Sequence, residues 1–408
     1  MFPKVIVIED NMTKINLAVL FGGPSPEHEV SKASALNIFN NLDEKYNIIP
    51  IYISKIGQWF LYDGNLAKIP KSENIEAYCA EVVLSPKGLL RIVGEKVRNM
   101  NIDVVFPVLH GRYGEDGIVQ GLLEANDMPY VGCGVFASSA CMDKIHTKEV
   151  AIAAGVPCVK HFVVHSRDLK DADNLVKEIR ATLGYPVFIK PSNTGSSVGI
   201  SKAKNKKEVI DGLAHAFSFS DKVIIEKFVK AREIEVAVLG TGGVDTVATE
   251  PGEISQNDTF YTFEAKYKDP TSKNIIPANI DEEIAKLAKE NAINIFKAVG
   301  GRGLARVDFF LEAKTNQLLL NEVNTMPGFT DISMYPQLIE SLGISYSQLI
   351  DRLVEMALSG YKDNEETEEE NLEKETEEES KEESKEVDKK KEDVQVEKET
   401  EQVKEDVE

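Results

Sequence analysis

Residues 303–330 read GLARVDFFLEAKTNQLLLNEVNTMPGFT. Two apolar runs flank a polar Lys-Thr-Asn segment, which is a β-hairpin signal. A three-residue turn at Lys314, Thr315 and Asn316 places Asp308 opposite Glu322 and Arg306 opposite Asn324. Strand side chains alternate with period two, so all four point to one face. Facing carboxylates repel unless a cation lies between them. Oxygen donors such as Asp308, Glu322 and the Asn324 amide suit a hard ion like Mg²⁺, which takes part of its coordination from phosphates. The plainer alternative is a solvated hairpin face on which Arg306 neutralises one acid. The rest of the chain has to decide between them.

With 408 residues the chain is long enough for two or three domains. A hydrophobic content of 42% is that of a soluble globular protein. No apolar run approaches the roughly 20 residues of a membrane helix. The opening MFPKVIVIED has too short an apolar core, and too early an acid pair, for a secretory signal. Cys79, Cys133, Cys141 and Cys158 lack CxxC spacing and neighbouring histidines, so neither disulfides nor zinc are indicated. The expected compartment is the cytoplasm. Of the net charge of −21, residues 361–408 contribute −14, from 23 acids and 9 lysines. This tail has too little apolar surface to offset its ordering entropy, and the reading is a disordered, solubilising extension. The remaining −7, with no basic stripe, excludes nucleic acid as a partner.

Along the chain, residues 1–12 read as an N-terminal extension, with Met12 as an alternative start that would make the leading eleven residues a misplaced initiation. INLAVLF then forms a first core strand ending at Gly22-Gly23, and strands alternate with helices, which indicates a parallel sheet with ligands at its carboxyl ends. GGPSPEHE and HGRYGEDG both sit at such ends, and residues 59–100 read as a variable stretch. The expected divisions are an α/β domain over 13–132, a central one over 133–229 and a C-terminal one over 230–360. Residues 253–279 lack a helical period, and a loop of that length in a compact domain is usually functional.

Several stretches carry chemistry, each with a plain alternative. KPSNTGSSVG (190–199) can expose backbone N–H groups to phosphate beside Lys190, or simply turn. Lys144 and the Glu226-Lys227 pair can serve a nucleotide or lie on the surface. Glu233 can reach a ribose or pair with Arg232. His110 follows an apolar strand, where a satisfied structural histidine is common. Glu27 precedes a helix, whose dipole alone would favour a carboxylate. No Ser-His-Asp order, nucleophile elbow or GxGxxG fingerprint is present.

The order of FGGPSPEHEVS, HGRYGEDGIVQG, MDKIHTK, KPSNTGSSVGI, REIEVAVLG, EAKY, ARVDFF and NEVNTMPGFT resembles the D-alanine–D-alanine ligase family of ATP-grasp enzymes, over about residues 13–358. The resemblance implies an ATP-grasp fold with an N-terminal parallel-sheet α/β domain, followed by the acidic tail. It implies ATP-driven joining of two D-alanines through an acyl phosphate, for peptidoglycan precursors. It assigns two Mg²⁺ ions, replaceable by Mn²⁺, to Asp308, Glu322 and Asn324. ATP falls to Lys144, Lys190, Ser197, Glu226, Lys227, Val229, Glu233 and Lys266. Glu27, oriented by Ser196 and Tyr267, takes the first substrate's ammonium. Arg306 and the Gly328 N–H form an oxyanion hole, and Ser333, Met334 and His110 border the second D-alanine. Residues 253–279 become a lid, and a homodimer is implied. The rival readings are a sister ligase making D-alanyl-D-lactate and a catalytically silent ATP-binding adaptor.

Overall fold

The computed structural model describes residues 14–72, 75–93, 96–255 and 273–361. The expectations for residues 1–12, the middle of the 253–279 segment and all but the first residue of the tail lie outside the described residues. Among the described residues, no helix is long and apolar enough to cross a membrane.

β1 (Ile15–Gly22) leads through α1 (His28–Asn41) to β2 (Tyr46–Ile53), which pairs parallel with it. Leu17 to Phe21 are all within 1% of complete burial, because helices cover both faces of β1. The chain then runs through β3 (Trp59–Tyr62), β4 (Cys79–Ser85), β5 (Gly88–Val93) and β6 (Lys96–Asn101), and returns as β7 (Val104–Pro107) parallel to β1. The sheet order is β6-β5-β4-β3-β2-β1-β7, with each neighbouring pair from β2 to β6 antiparallel. The expected parallel sheet is therefore mixed: β2-β1-β7 is parallel, and the supposedly variable stretch supplies an antiparallel half. α2 (Ile118–Glu124) then packs Val119 and Leu123 against Ala18 and Leu20.

α3 (Val135–Met142) and α4 (Lys144–Ala153) follow. The second sheet starts only at β8 (His161–His165) and continues, after α5 (Ala172–Leu183), with β9 (Val187–Pro191) and β10 (Ser201–Ala203). α6 (Lys206–Phe217) and β11 (Lys222–Lys227) complete it, in the order β10-β9-β11-β8. α5 presents Leu175, Val176, Ile179 and Leu183 as one apolar stripe, burying the sheet's outer face.

The third sheet comprises β12 (Ala231–Gly240), β13 (Val247–Ala248), β14 (Gly252–Ser255), β15 (Lys273–Ile275), β16 (Gly303–Glu312) and β17 (Leu318–Asn324). Its order is β15-β14-β12-β16-β17, with β13 also on β12. The ends of the 253–279 segment are thus a strand pair, Glu253 opposite Ile275. α7 (Glu282–Ala298), α3 and α4 pack on one face against Ile234, Val236, Val307 and Phe309. The expected division at 133 therefore falls where the chain enters the core of the third sheet. Alternate residues of β12 and β16 face the other way, into a cavity.

The β16–β17 register is the one the hairpin pattern predicts at its functional end: Arg306 faces Asn324 and Asp308 faces Glu322. Beyond it the pairing shifts, with Phe309 on Leu320 and Leu311 on Leu318. The turn is one residue longer than expected, closed by Glu312 N–H to the Gln317 carbonyl at 2.9 Å, with Asn316 at φ 55°. A bulge at Asn321 absorbs the extra residue and restores the register.

Candidate active site

A cavity of about 390 Å³ opens between the three sheets, and all seventeen described residues that the sequence nominates line it. Lys266 and Tyr267 lie outside the described residues.

The third sheet contributes three carboxylates in register: Glu235 on β12 stands opposite Asp308 on β16, which stands opposite Glu322 on β17. Arg306, two residues before Asp308, donates from Nε to Oδ1 and from Nη2 to Oδ2, both at 2.8 Å. Its Nε also lies 2.9 Å from Glu235 Oε2. Burial alone would lower the Arg306 pKa, but Asp308 and Glu235 outweigh it and raise it. Asn324 Nδ2 donates to Asp308 Oδ2 at 2.9 Å. The arginine–acid pairing of the plain reading is therefore real, yet it sits on a buried face beside a cavity, with Asp308 only 7% exposed. Among the described residues, no three His, Cys, Asp or Glu side chains converge into a complete metal cage. The donor set is two carboxylates and an amide, which suits an ion that shares its coordination with phosphates.

The second sheet contributes the loop after β9. Ser196 and Ser197 adopt φ 51° and 59°, a left-handed conformation costly to residues with a Cβ. The Ser196 hydroxyl is buried without a hydrogen-bond partner among the described residues. Strain together with an orphaned hydroxyl marks a loop shaped for a ligand rather than for turning alone. Lys144 Nζ donates to the Thr194 carbonyl at 2.6 Å, holding this loop. Lys190 lies 2.6 Å from Glu226 Oε2, and Lys148 lies 2.9 Å from Glu226 Oε1. Burial would raise the Glu226 pKa, but the two ammonium groups hold it well below the usual carboxylate range. Lys227 and Val229 continue the wall. Glu233 does not pair with Arg232, because Arg232 makes a bidentate contact to Glu253 at 2.6 Å instead. Neighbouring strand residues face opposite ways, which leaves Glu233 on the cavity side.

The N-terminal sheet brings Glu27, at the start of α1, against the loop after β7. Gly111 at φ 73° passes so close that a Cβ there would lie 2.4 Å from Glu27 Oε2. His110 is anchored at both nitrogens: Nδ1 is 3.0 Å from the Met326 carbonyl and Nε2 is 3.0 Å from Ser34 Oγ. A carbonyl only accepts, so Nδ1 carries the proton. Burial lowers the His110 pKa, consistent with this neutral form. The Ser34 hydroxyl therefore donates to Nε2, and its oxygen accepts from the Phe329 N–H at 3.2 Å. Glu115, which the sequence reading left without a role, accepts from the Gly111 N–H at 2.7 Å and the Met326 N–H at 3.1 Å. Gly328 approaches Ser333 so closely that a Cβ would lie 2.7 Å from its Oγ. Glu115, Glu235 and Lys148 are the side chains that sequence reasoning missed. Their only signals were a place inside HGRYGEDG, a two-residue spacing from Glu233, and a four-residue spacing from Lys144.

Two antiparallel sheets closing on one cavity, with a phosphate-type loop on one and a carboxylate row on the other, define an ATP-dependent ligase of the ATP-grasp fold. The chain belongs to the D-alanine–D-alanine ligase family: residues 16–133 match the D-ala D-ala ligase N-terminus and residues 150–355 the D-ala D-ala ligase C-terminus. A D-alanine–D-alanine ligase of Caldicellulosiruptor bescii is 47% identical over 353 residues, covering 85% of this chain and 96% of its own. One from Clostridium acetobutylicum is 47% identical over 348 residues, covering 85% and 98%. Among solved structures, the D-alanine-D-alanine ligase from Coxiella burnetii superimposes with a TM-score of 0.77 at 34% identity, covering 87% of this chain and 97% of that one. The VanG D-Ala:D-Ser ligase from Enterococcus faecalis gives 0.76 at 38% identity, covering 84% and 99%.

Proposed function

We propose that this protein joins two D-alanines at the expense of ATP, with a D-alanyl phosphate as intermediate. One observation carries the reading: the strained 195–198 loop, the Glu235/Asp308/Glu322 row and the Glu27 carboxylate all face one cavity. Lys144, Lys190 and the loop N–H groups hold the ATP phosphates, with Ser197 among them. Glu226, Lys227 and Val229 border the adenine, Glu233 the ribose, and Lys266 joins from the lid. Asp308, Glu322 and Asn324 would hold two Mg²⁺ ions, with Mn²⁺ as a substitute. Asp308 would take an ion by exchanging part of its present contacts, because Oδ2 already accepts from both Arg306 and Asn324. The ions would neutralise charge developing on the transferring phosphoryl group.

Glu27 holds the ammonium of the first D-alanine, oriented by Ser196 and Tyr267. Arg306 and the Gly328 N–H stabilise negative charge on its carboxyl oxygen as the second amine attacks. Ser333 and the Met334 N–H hold the second substrate's carboxylate, and His110 borders it. The lid excludes water that would hydrolyse the acyl phosphate. The protein works in the cytoplasm as a homodimer. A coupled ADP-release assay with D-alanine tests the reading; ADP formation that ignores D-alanine would overturn it. Adding D-serine or D-lactate in the same assay, with product analysis, tests the sister nucleophiles, D-serine being the one named for a structural neighbour.

A further inference from the structure

α4 carries Lys144 and Lys148 four residues apart, and therefore on one face. Lys148 is completely buried and does not line the cavity. An ammonium has three N–H groups, and three acceptors surround this one. Glu226 Oε1 lies at 2.9 Å, the Leu320 carbonyl at 3.3 Å and the Asn321 carbonyl at 3.4 Å. Glu226 thus has two cations of different kinds. Lys148 is sealed in the interior, whereas Lys190, at 2.6 Å on the other oxygen, is 12% exposed and faces the cavity.

That difference matters when a nucleotide arrives. Lys190 can turn to a phosphate only by giving up part of its contact with Glu226. Were it the sole counter-ion, leaving would strand a buried carboxylate, which is strongly unfavourable. Lys148 removes that obstacle. It also grips the bulge at Leu320 and Asn321, immediately before Glu322.

We propose that Lys148 is a positioning residue for nucleotide binding: it remains the fixed counter-ion of Glu226, releases Lys190 for the phosphates, and anchors the bulge that aims Glu322. This rests on the reading of Lys190 and Glu226 as nucleotide-binding residues. The test compares ATP with adenosine, which lacks phosphates, by calorimetry on the full chain, alongside KM values for ATP and D-alanine. In Lys148→Met, ATP affinity should fall about tenfold, which is 1.4 kcal/mol, while adenosine affinity and the D-alanine KM move by less than about twofold. In Lys148→Met/Glu226→Gln no buried carboxylate remains to hold Lys190, so the ratio of ATP to adenosine affinity should return to that of Glu226→Gln alone. Because that double variant is charge-balanced, it keeps the test available if the single variant folds poorly. Equal losses for ATP and adenosine, or a ratio that Glu226→Gln fails to restore, would overturn the proposal in favour of a purely structural lysine. Lys190→Met separates the two levels: unchanged ATP affinity there would remove the underlying nucleotide assignment as well.

Discussion

Arg306 contacts two acids at once, and its place between Glu235 and Asp308 fixes what each can still do. Asp308 also accepts from Asn324, and Glu322 faces it from β17. Asp308→Asn or Glu322→Gln keeps the shape but removes charge that the proposed Mg²⁺ site requires. The expected outcome is a loss of about 100-fold or more in turnover, about 2.7 kcal/mol, with a raised Mg²⁺ requirement in a metal titration. Near-wild-type turnover in Glu322→Gln at ordinary Mg²⁺ would remove the assignment. The row containing these residues was legible because β16 and β17 are adjacent in sequence and period two aligns their faces. Glu235 and Glu115 were not, since each takes its meaning from distant chain: Glu115 binds an N–H 211 residues away. Burial, with Glu27 adding to it, pushes Glu115 up to about 8 from 4.5, against two backbone N–H groups and Arg306. The folded state then keeps a proton that the unfolded state releases. Its contribution is fully present below pH 4.5 and is lost as pH rises through about 8. Urea unfolding should show the wild type losing stability over that window relative to Glu115→Gln, which cannot titrate. The glutamine places an amide against one of two backbone donors, a constant cost of about 1–3 kcal/mol. A pH-independent difference between the two would refute the shift.

At the scale of elements, the start of α4 is where the second sheet and the helix of Lys144 are joined. Asp143 caps α4, accepting from the Ile145 N–H at 3.0 Å, and also bonds Ser192 after β9 and Lys222 at the start of β11. Burial would raise its pKa, but Lys222 and Ser192 bring it down to about 2. That contribution is present above pH 3.8 and is lost as pH falls through about 2. Asp143→Ala should cost about 1–2 kcal/mol from the cap alone. It should also weaken ATP binding more than D-alanine binding, because Lys144 is the next residue; a D-alanine effect as large as the ATP effect would contradict this. The sequence signalled neither the cap's cross-links nor two of the strand details. A hairpin pattern does not distinguish a three-residue turn from a four-residue turn plus a bulge, and here the two differences cancel at Asp308 and Glu322. In residues 59–101 the Ser85-Pro86-Lys87-Gly88 turn, with Lys87 at φ 57°, was a hairpin signal masked by its polar surroundings.

At the scale of the whole molecule, the N-terminal lobe meets the segment 326–329 that follows β17. His110 and Glu115 hold the carbonyl and N–H of Met326, and Ser34 holds the Phe329 N–H, so the N-terminal sheet fixes the turn that carries Gly328. From the other side, Asn274 on β15 donates to the Ile332 carbonyl at 3.0 Å and to Gln337 Oε1 at 2.9 Å, linking β15 to the Ser333 region. None of these contacts involves residues beyond 360, and truncation after Gly360 should leave turnover and melting temperature nearly unchanged. Tyr361 still ends a helix, and from residue 362 on the sequence composition predicts fast amide exchange in the intact chain; slow exchange, or a large activity loss, would assign the tail a role. The proposed lid bears on the choice of nucleophile. Ser196 Oγ is buried beside the site without a partner among the described residues, and the proposed function assigns the Tyr267 hydroxyl to it. Through Ser196 that hydroxyl would also brace Glu27 and hold the lid closed. Removing it leaves a buried polar group unpaired, at about 1–3 kcal/mol. The wild type should therefore make D-Ala-D-Ala with little use of D-lactate. Tyr267→Phe should lose part of its dipeptide activity and gain D-Ala-D-lactate at the acidic end of a range from about pH 6 to about pH 9, where more of the competing amine is protonated. Product analysis with both substrates present decides it. Abundant depsipeptide from the wild type would place the chain among the sister ligases, and an unchanged product ratio in the variant would show that selectivity does not depend on this hydroxyl.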